Sequence, residues 1–253
     1  HLKIDTGMTR LGVSHYKAET FLKKAAQISS INIEGIYSHF STGDEGNLSY
    51  AKKQLNRFNE VVELAKKLNI VPPLIHCSNS GAILNLAESR FNLCRVGMLL
   101  YGAFPSDEVP QDLSIEPVMT LTAPIVEIRD VKAGTPISYG GVYSTDKDTK
   151  IAVVQAGFAD GVPRPWYTKG YVKLKNKKFK ITGRICMDQL MIDVGSSDIK
   201  LGDEVIIFGS NSNGTISINE IAKEIDSTTY VIVAGIGTRP KKILRSKLKP
   251  NQG

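Results

Sequence analysis

The sequence predicts an α/β domain followed by a mostly-β domain, and three observations carry that prediction. Strand-like apolar runs alternate with helix-periodic segments up to about residue 114. After Pro117 short strands punctuated by Gly, Asp-Gly and Asn-Gly take over. Polar residues gather where the strands of the first half end, which is where parallel α/β folds place their chemistry. The domains are therefore drawn at 1–114 and 115–253, joined without a long linker.

Taken in order, residues 1–5 read as a strand and 18–28 as a helix, with Phe21, Leu22, Ala25 and Ile28 at helical spacing. Residues 32–39 are the next strand. Residues 50–68 form an amphipathic helix striped by Leu55, Phe58, Val62, Leu64 and Ala65. A strand at 73–77, a helix at 80–85 and a fourth strand at 93–100 complete the series. Repeated βα units imply parallel strands with helices outside. In the second half, strands are expected at 118–130, 135–139, 151–156, 171–175, 178–184, 191–194, 204–208 and 243–248. They form a barrel-like domain interrupted by one helix at 217–224, whose Ser217-x-x-Glu220 start fits a capping box.

Composition narrows the function classes. The 253 residues carry 32 Lys plus Arg against 25 Asp plus Glu, are 42% hydrophobic and 23% charged, and so are not those of a disordered chain. The most apolar stretch, residues 230–237, is too short to span a bilayer, so no membrane partner is expected. Lys173, Lys175 and Lys177 alternate with Val172, Leu174 and Asn176, the pattern of a strand with one wet face. That reading, and the lack of any recognition motif, argue against nucleic acid. Three cysteines without C-x-x-C spacing disfavour a disulfide framework and a zinc ribbon; they suit the cytoplasm, and no metal is expected. The chain starts at His1, inside a strand, from which a start partway through a longer protein is expected.

Several polar residues have chemical potential. His39 closes an apolar strand, where it can relay a proton or satisfy a local hydrogen bond. Asn79-Ser80-Gly81 and Gly97-Met98, at successive strand ends, offer N–H groups and a hydroxyl suited to phosphate. Arg10 leaves a strand in a loop and can clamp a carboxylate. Arg95, inside an apolar run, must find acceptors. Tyr139, flanked by Ser138 and Gly140, can serve as an acid or base beside a cation, or as a turn tyrosine.

Together these segments resemble the alanine racemase family. The matching motifs are residues 1–12 (HLKIDTGMTRLG), Ser38-His39-Phe40, Asn79-Ser80, Arg95-Val-Gly-Met98, Tyr101-Gly102, Ser138-Tyr139-Gly140, residues 157–164 (GFADGVPR) and residues 183–189 (GRICMDQ). The resemblance implies the later part of a pyridoxal-phosphate (PLP) binding (β/α)8 barrel followed by a β domain. It also implies a chain lacking the first half-barrel and the PLP lysine, for which no lysine here stands in.

The implied activity is interconversion of L- and D-alanine by two bases, supplying D-alanine for peptidoglycan, in a homodimer with shared active sites. Tyr139 matches the second base, working in the partner subunit's site. His39 and Arg95 match the chain that links it to the cofactor, with Arg95 facing the pyridine nitrogen. Ser80, Gly97, Met98 and Thr238 match phosphate-binding positions. Arg10 and the Met187 N–H match contacts to the substrate carboxylate, and Lys3 matches a lysine carbamylated in many members. Asp44, Phe158, Arg164 and Ile236 match the entryway. Phe158 and Thr238 replace tyrosines of many or some relatives, which implies a wider gate. The alternatives are a related racemase acting on serine, or a catalytically incomplete fragment.

Overall fold

A computed structural model of the chain describes residues 1–70 and 72–244. It divides into two compact units, His1–Val118 and Met119–Gly253.

The first unit is a parallel sheet covered by helices. Strands β1 (Leu2–Asp5), β2 (Val13–Ser14), β3 (Gly35–Tyr37) and β4 (Leu74–His76) lie in the order β2-β1-β3-β4, every pair parallel. Helices α1 (Ala18–Ala26) and α2 (Ser49–Lys67) pack together. Ala51, Leu55, Phe58, Val62 and Ala65 of α2 recur at steps of three and four and are all buried, so one stripe faces Ile4, Leu22 and Ile36. Helix α3 (Ser80–Asn85) follows β4 directly, and the Asn79 side chain caps it by accepting the Ala82 N–H at 3.0 Å.

The strand expected at 93–100 does not form, and the fourth parallel strand is the two-residue β2. Arg95 makes one backbone bond, to the Ser78 carbonyl at 3.0 Å. Gly97, at φ −118° and ψ −97°, then leaves extended geometry, and Met98–Tyr101 winds into a 3-10 turn.

The second unit is built on β5 (Leu121–Val131), β6 (Pro136–Ile137), β7 (Tyr143–Ser144), β8 (Thr149–Val154), β9 (Tyr171–Leu174), β10 (Lys177–Lys180), β11 (Leu190–Asp193), β12 (Glu204–Asn211) and β13 (Gly214–Ile216). Seven of these form one sheet in the order β10-β9-β12-β5-β8-β11, with β13 on β12. A bridge between Ile181 and Ile192 ties the chain just past β10 to β11, so the sheet curls back on itself as a barrel. Its interior is apolar, with Ile125, Val172, Leu190, Ile192 and Phe208 buried. The lysine alternation ends in a hairpin turn, Lys175 and Asn176 at φ 50° and 62°.

Ser217 caps α4 (Ile218–Glu224), but the reciprocal half of the capping box is absent. Ser217 Oγ accepts the Asn219 N–H at 3.1 Å, while Glu220 is drawn away to accept the Tyr171 hydroxyl at 2.7 Å. A further helix, α5 (Thr229–Ala234), occupies the apolar run that the sequence reading left unassigned. The strand expected at 243–248 lies outside the described residues beyond Leu244, and Ile243 and Leu244 form no strand.

Candidate active site

Arg95 organises the first unit's polar end. Its Nη1 donates to His76 Nδ1 at 2.7 Å, and its Nη2 reaches the Ser38 carbonyl at 2.8 Å, His39 Nδ1 at 3.0 Å and the Cys77 carbonyl at 3.3 Å. Guanidinium donates only, so both imidazoles must present an unprotonated Nδ1 to it. The tautomers follow: each ring keeps its hydrogen on Nε2. His76 donates that hydrogen to His1 Nδ1 at 2.8 Å, and the His39 Nε2–H is left to point elsewhere. Burial first and the Arg95 charge second lower both histidines from 6.5 to about 4, so they are neutral at pH 7. Tyr37 stacks on His76 with ring centroids 5.0 Å apart and lies under Arg95 at 5.4 Å.

Lys3 lies on the other side of Tyr37, its Nζ 5.4 Å from the ring centroid. Partial burial, then the charges of Arg10 and Arg95, lower the Lys3 amine below its ordinary value. Lys3, Asp5, Met8, Leu11, Ser38 and His39 line one small concavity. Asp5 turns the chain toward Arg10 by accepting the Gly7 and Thr9 N–H groups at 2.9 and 3.0 Å. Ser80 and Gly97 lie together, where the Gly97 N–H donates to Ser80 Oγ at 2.8 Å. Met98 is buried beside them in the chain. The Asp44 backbone lies against Gly81 closely enough that a Cβ there would collide with it, and its carbonyl accepts the Ser106 hydroxyl.

In the second unit Tyr139 is 65% exposed on a 3-10 turn, Tyr139–Gly141. Ser138 at φ 63° and Gly140 at φ 74° set that turn. The Ser138 hydroxyl pins it to the Arg184 carbonyl at 2.6 Å, and the Arg184 guanidinium lies against Gly140. The neighbouring loop carries Met187, 55% exposed, whose carbonyl accepts the Ala159 N–H at 3.0 Å. Phe158 donates its own N–H to the Cys186 carbonyl at 3.0 Å and exposes its ring. Ile236 packs against Gly161, and Thr238 is exposed without a side-chain bond among the described residues. Arg164, at the start of the turn Arg164–Thr168, is exposed.

Each unit thus carries part of the expected set: Lys3, Arg10, His39, Ser80, Arg95, Gly97, Met98 and Asp44 in the first; Tyr139, Phe158, Arg164, Met187, Ile236 and Thr238 in the second. Sequence reasoning missed Tyr37, His76, Arg184 and the pairing of Arg239 with Asp188 at 2.6 Å and with Asp160 at 3.5 Å. His76 ends a strand as His39 does, and Arg184 follows a glycine in a polar loop, so both carried a weak signal. The roles of Tyr37 and Arg239 rest on contacts across the fold and carried none.

The architecture is a parallel α/β unit followed by a β barrel, an α/β-plus-β class that carries polar residues at the ends of its parallel strands. Comparison with known families is specific. A model described as the alanine racemase N-terminal domain matches residues 1–105, and one for the C-terminal domain matches residues 118–244. The chain belongs to the alanine racemase family. The N-terminal match corrects the expectation, drawn from the resemblance, of a chain lacking the N-terminal half-barrel.

A protein named alanine racemase from Halothermothrix orenii is 40% identical over 249 residues, 98% of this chain and 66% of its own length. One from Desulforamulus reducens is 39% identical over 96% of this chain and 66% of its own. The chain therefore spans just under two thirds of these relatives. Among solved structures, an alanine racemase of Clostridium difficile 630 superposes with a TM-score of 0.87 at 36% identity, covering 94% of this chain and 62% of that one. An alanine racemase from Bartonella henselae with covalently bound pyridoxal phosphate superposes at 0.81 and 27% identity, covering 96% of this chain and 65% of its own.

The histidine values have a consequence for stability. Held near 4 in the fold against 6.5 unfolded, both rings make the unfolded chain the better proton binder between those values. Unfolding free energy is expected to fall as pH drops from 6.5 to 4 and to be insensitive to these groups above about 7. Urea midpoints measured from pH 4 to 8 check this. His39→Gln and His76→Gln should each flatten the acid slope, and slopes unchanged in both variants would contradict it.

Proposed function

We propose that this chain serves the interconversion of L- and D-alanine with PLP, and the observation that carries the reading is the Arg95–His39 pair. The residues present fit that cofactor. The charges that bear on His39 are all cationic, from Arg95, Arg10 and Lys3. Such a site suits an anionic phosphate and a pyridine nitrogen that stays unprotonated, and Arg95 Nε makes no other hydrogen bond among the described residues. Ser80, Gly97, Met98 and Thr238 would hold the phosphate. Bound there, PLP supplies the electron withdrawal that makes the α-hydrogen of an amino acid removable.

The protein's own groups do the rest. Tyr139 takes the α-hydrogen of L-alanine on its phenolic oxygen and returns one in the reverse direction, working in the partner subunit's active site of a homodimer. The neutral His39, with Nδ1 held by Arg95, offers its Nε2–H to that oxygen and steadies the phenolate. Arg10 and the Met187 N–H receive the substrate carboxylate. Asp44, Phe158, Arg164 and Ile236 line the entry, and Phe158 leaves it one hydroxyl short. The relatives' names favour alanine over serine as substrate. The product would feed peptidoglycan precursors in the cytoplasm. That reading is supported by three free cysteines, while among the described residues no helix is long and apolar enough to cross a membrane.

Lys3 is the expected carbamate. Its lowered amine attacks carbon dioxide, forming the N–C bond and releasing one proton, and the carboxylate so made holds Arg10 instead of repelling it.

Two results follow for the purified natural protein. Tyr139→Phe should cut solvent deuterium entry at Cα from L-alanine by about 10²–10⁴-fold while cofactor absorbance is retained; unchanged entry contradicts the assignment. Lys3→Ala should lose activity that chloride or acetate restores, whereas activity equal to the parent protein's would show that Lys3 carries no carbamate that matters.

A further inference from the structure

The gate and the substrate loop of the second unit are joined by backbone contacts, and one side chain ties them to a third loop. Phe158 and Ala159 donate their N–H groups to the Cys186 and Met187 carbonyls, each at 3.0 Å. A Cβ at Gly157 would collide with the Met187 carbonyl, so only glycine lets the two loops lie this close. On the other side, Gly161 at φ 97° lets the Gly235 carbonyl and the Ile236 side chain rest on it. These contacts align three loops, chiefly through backbone.

Arg239 crosses all three. Its Nη2 pairs with Asp188 at 2.6 Å and its Nε with Asp160 at 3.5 Å. Asp188 adjoins Met187 in sequence, Asp160 lies two residues past Phe158, and Arg239 itself is three residues past Ile236. Asp160 is already committed, its Oδ2 accepting the Gly157 N–H at 2.9 Å, so the guanidinium reaches a carboxylate that cannot swing. Lysine, a point charge on a flexible stem, lacks the planar fork that holds two carboxylates in one fixed geometry.

We propose that Arg239 is a positioning residue that fixes the Met187 N–H and the Phe158–Ile236 gate in one geometry, and thereby sets how tightly a small amino acid's carboxylate is held. The proposal rests on the reading that Met187 contacts that carboxylate. Its effect falls on substrate capture, since Arg239 acts through Asp188 and Asp160 and touches no reacting atom.

The test uses the natural full-length protein with Arg239→Gln, Arg239→Lys, Asp188→Asn, and the Arg239→Gln/Asp188→Asn double variant. Amide hydrogen exchange at Phe158 and Ala159 should quicken by about tenfold in Arg239→Gln. KM for alanine should rise about fivefold with kcat within about twofold, and Arg239→Lys should recover only part of the loss. The double variant should be no worse than Arg239→Gln alone. Unchanged exchange overturns the clamp, and faster exchange with unchanged KM overturns its link to substrate. A parent protein that turns over no alanine defeats the functional reading instead, and the exchange data alone then decide the clamp.

Discussion

A guanidinium that cannot lose its proton, set against two imidazoles at the ends of parallel strands, is the constraint on which the first unit depends. Burying that charge costs heavily unless its donors are used. The chain satisfies them with carbonyls from Ser38 and Cys77 and with two ring nitrogens, so the segments ending β3 and β4 converge on one residue. Because the donor is permanent, the acceptors are permanent too, and the tautomers of His39 and His76 are settled by the fold. The site's electrostatics follow. Partial burial first, then the charges of Arg10 and Arg95, lower the Lys3 amine below its ordinary value and make it easier to neutralise than a free lysine.

The second unit solves a different problem, that of presenting backbone. Its surface loops are short and mixed in character, and glycine lets them cross at contact distance. Ser138, a non-glycine residue at φ 63°, is held in the left-handed region by its hydroxyl bond to the Arg184 carbonyl, and this aims Tyr139 outward. The barrel beneath supplies rigidity through a mostly apolar interior, so the loops vary in chemistry without disturbing the frame.

Legibility in the sequence followed the range of the forces involved. Helix α3 was readable to the residue because Asn79 caps it locally, and the α2 stripe was readable because burial imposes its period. The missing fourth strand and the two-residue β2 were not, since neither a glycine at an unusual ψ nor a short parallel pairing leaves a periodic trace. Helix α5 hid in Thr229-Tyr-Val-Ile-Val-Ala234, where β-branched residues favour strands and tertiary packing overrides them. In the site, His39, Arg95 and Tyr139 stood out singly. Their neighbours did not: Arg95 meets His39 across 56 positions and His76 across 19, and no local pattern reports such a meeting.

The most direct test of this account is nitrogen-15 NMR of the histidine rings in the natural protein from pH 5 to 8. With Arg95 donating to both rings, His39 and His76 stay neutral throughout, each with an unprotonated Nδ1 and its hydrogen on Nε2. A His39 ring that titrates near 6.5, or that carries its hydrogen on Nδ1, would show that Arg95 does not govern the site.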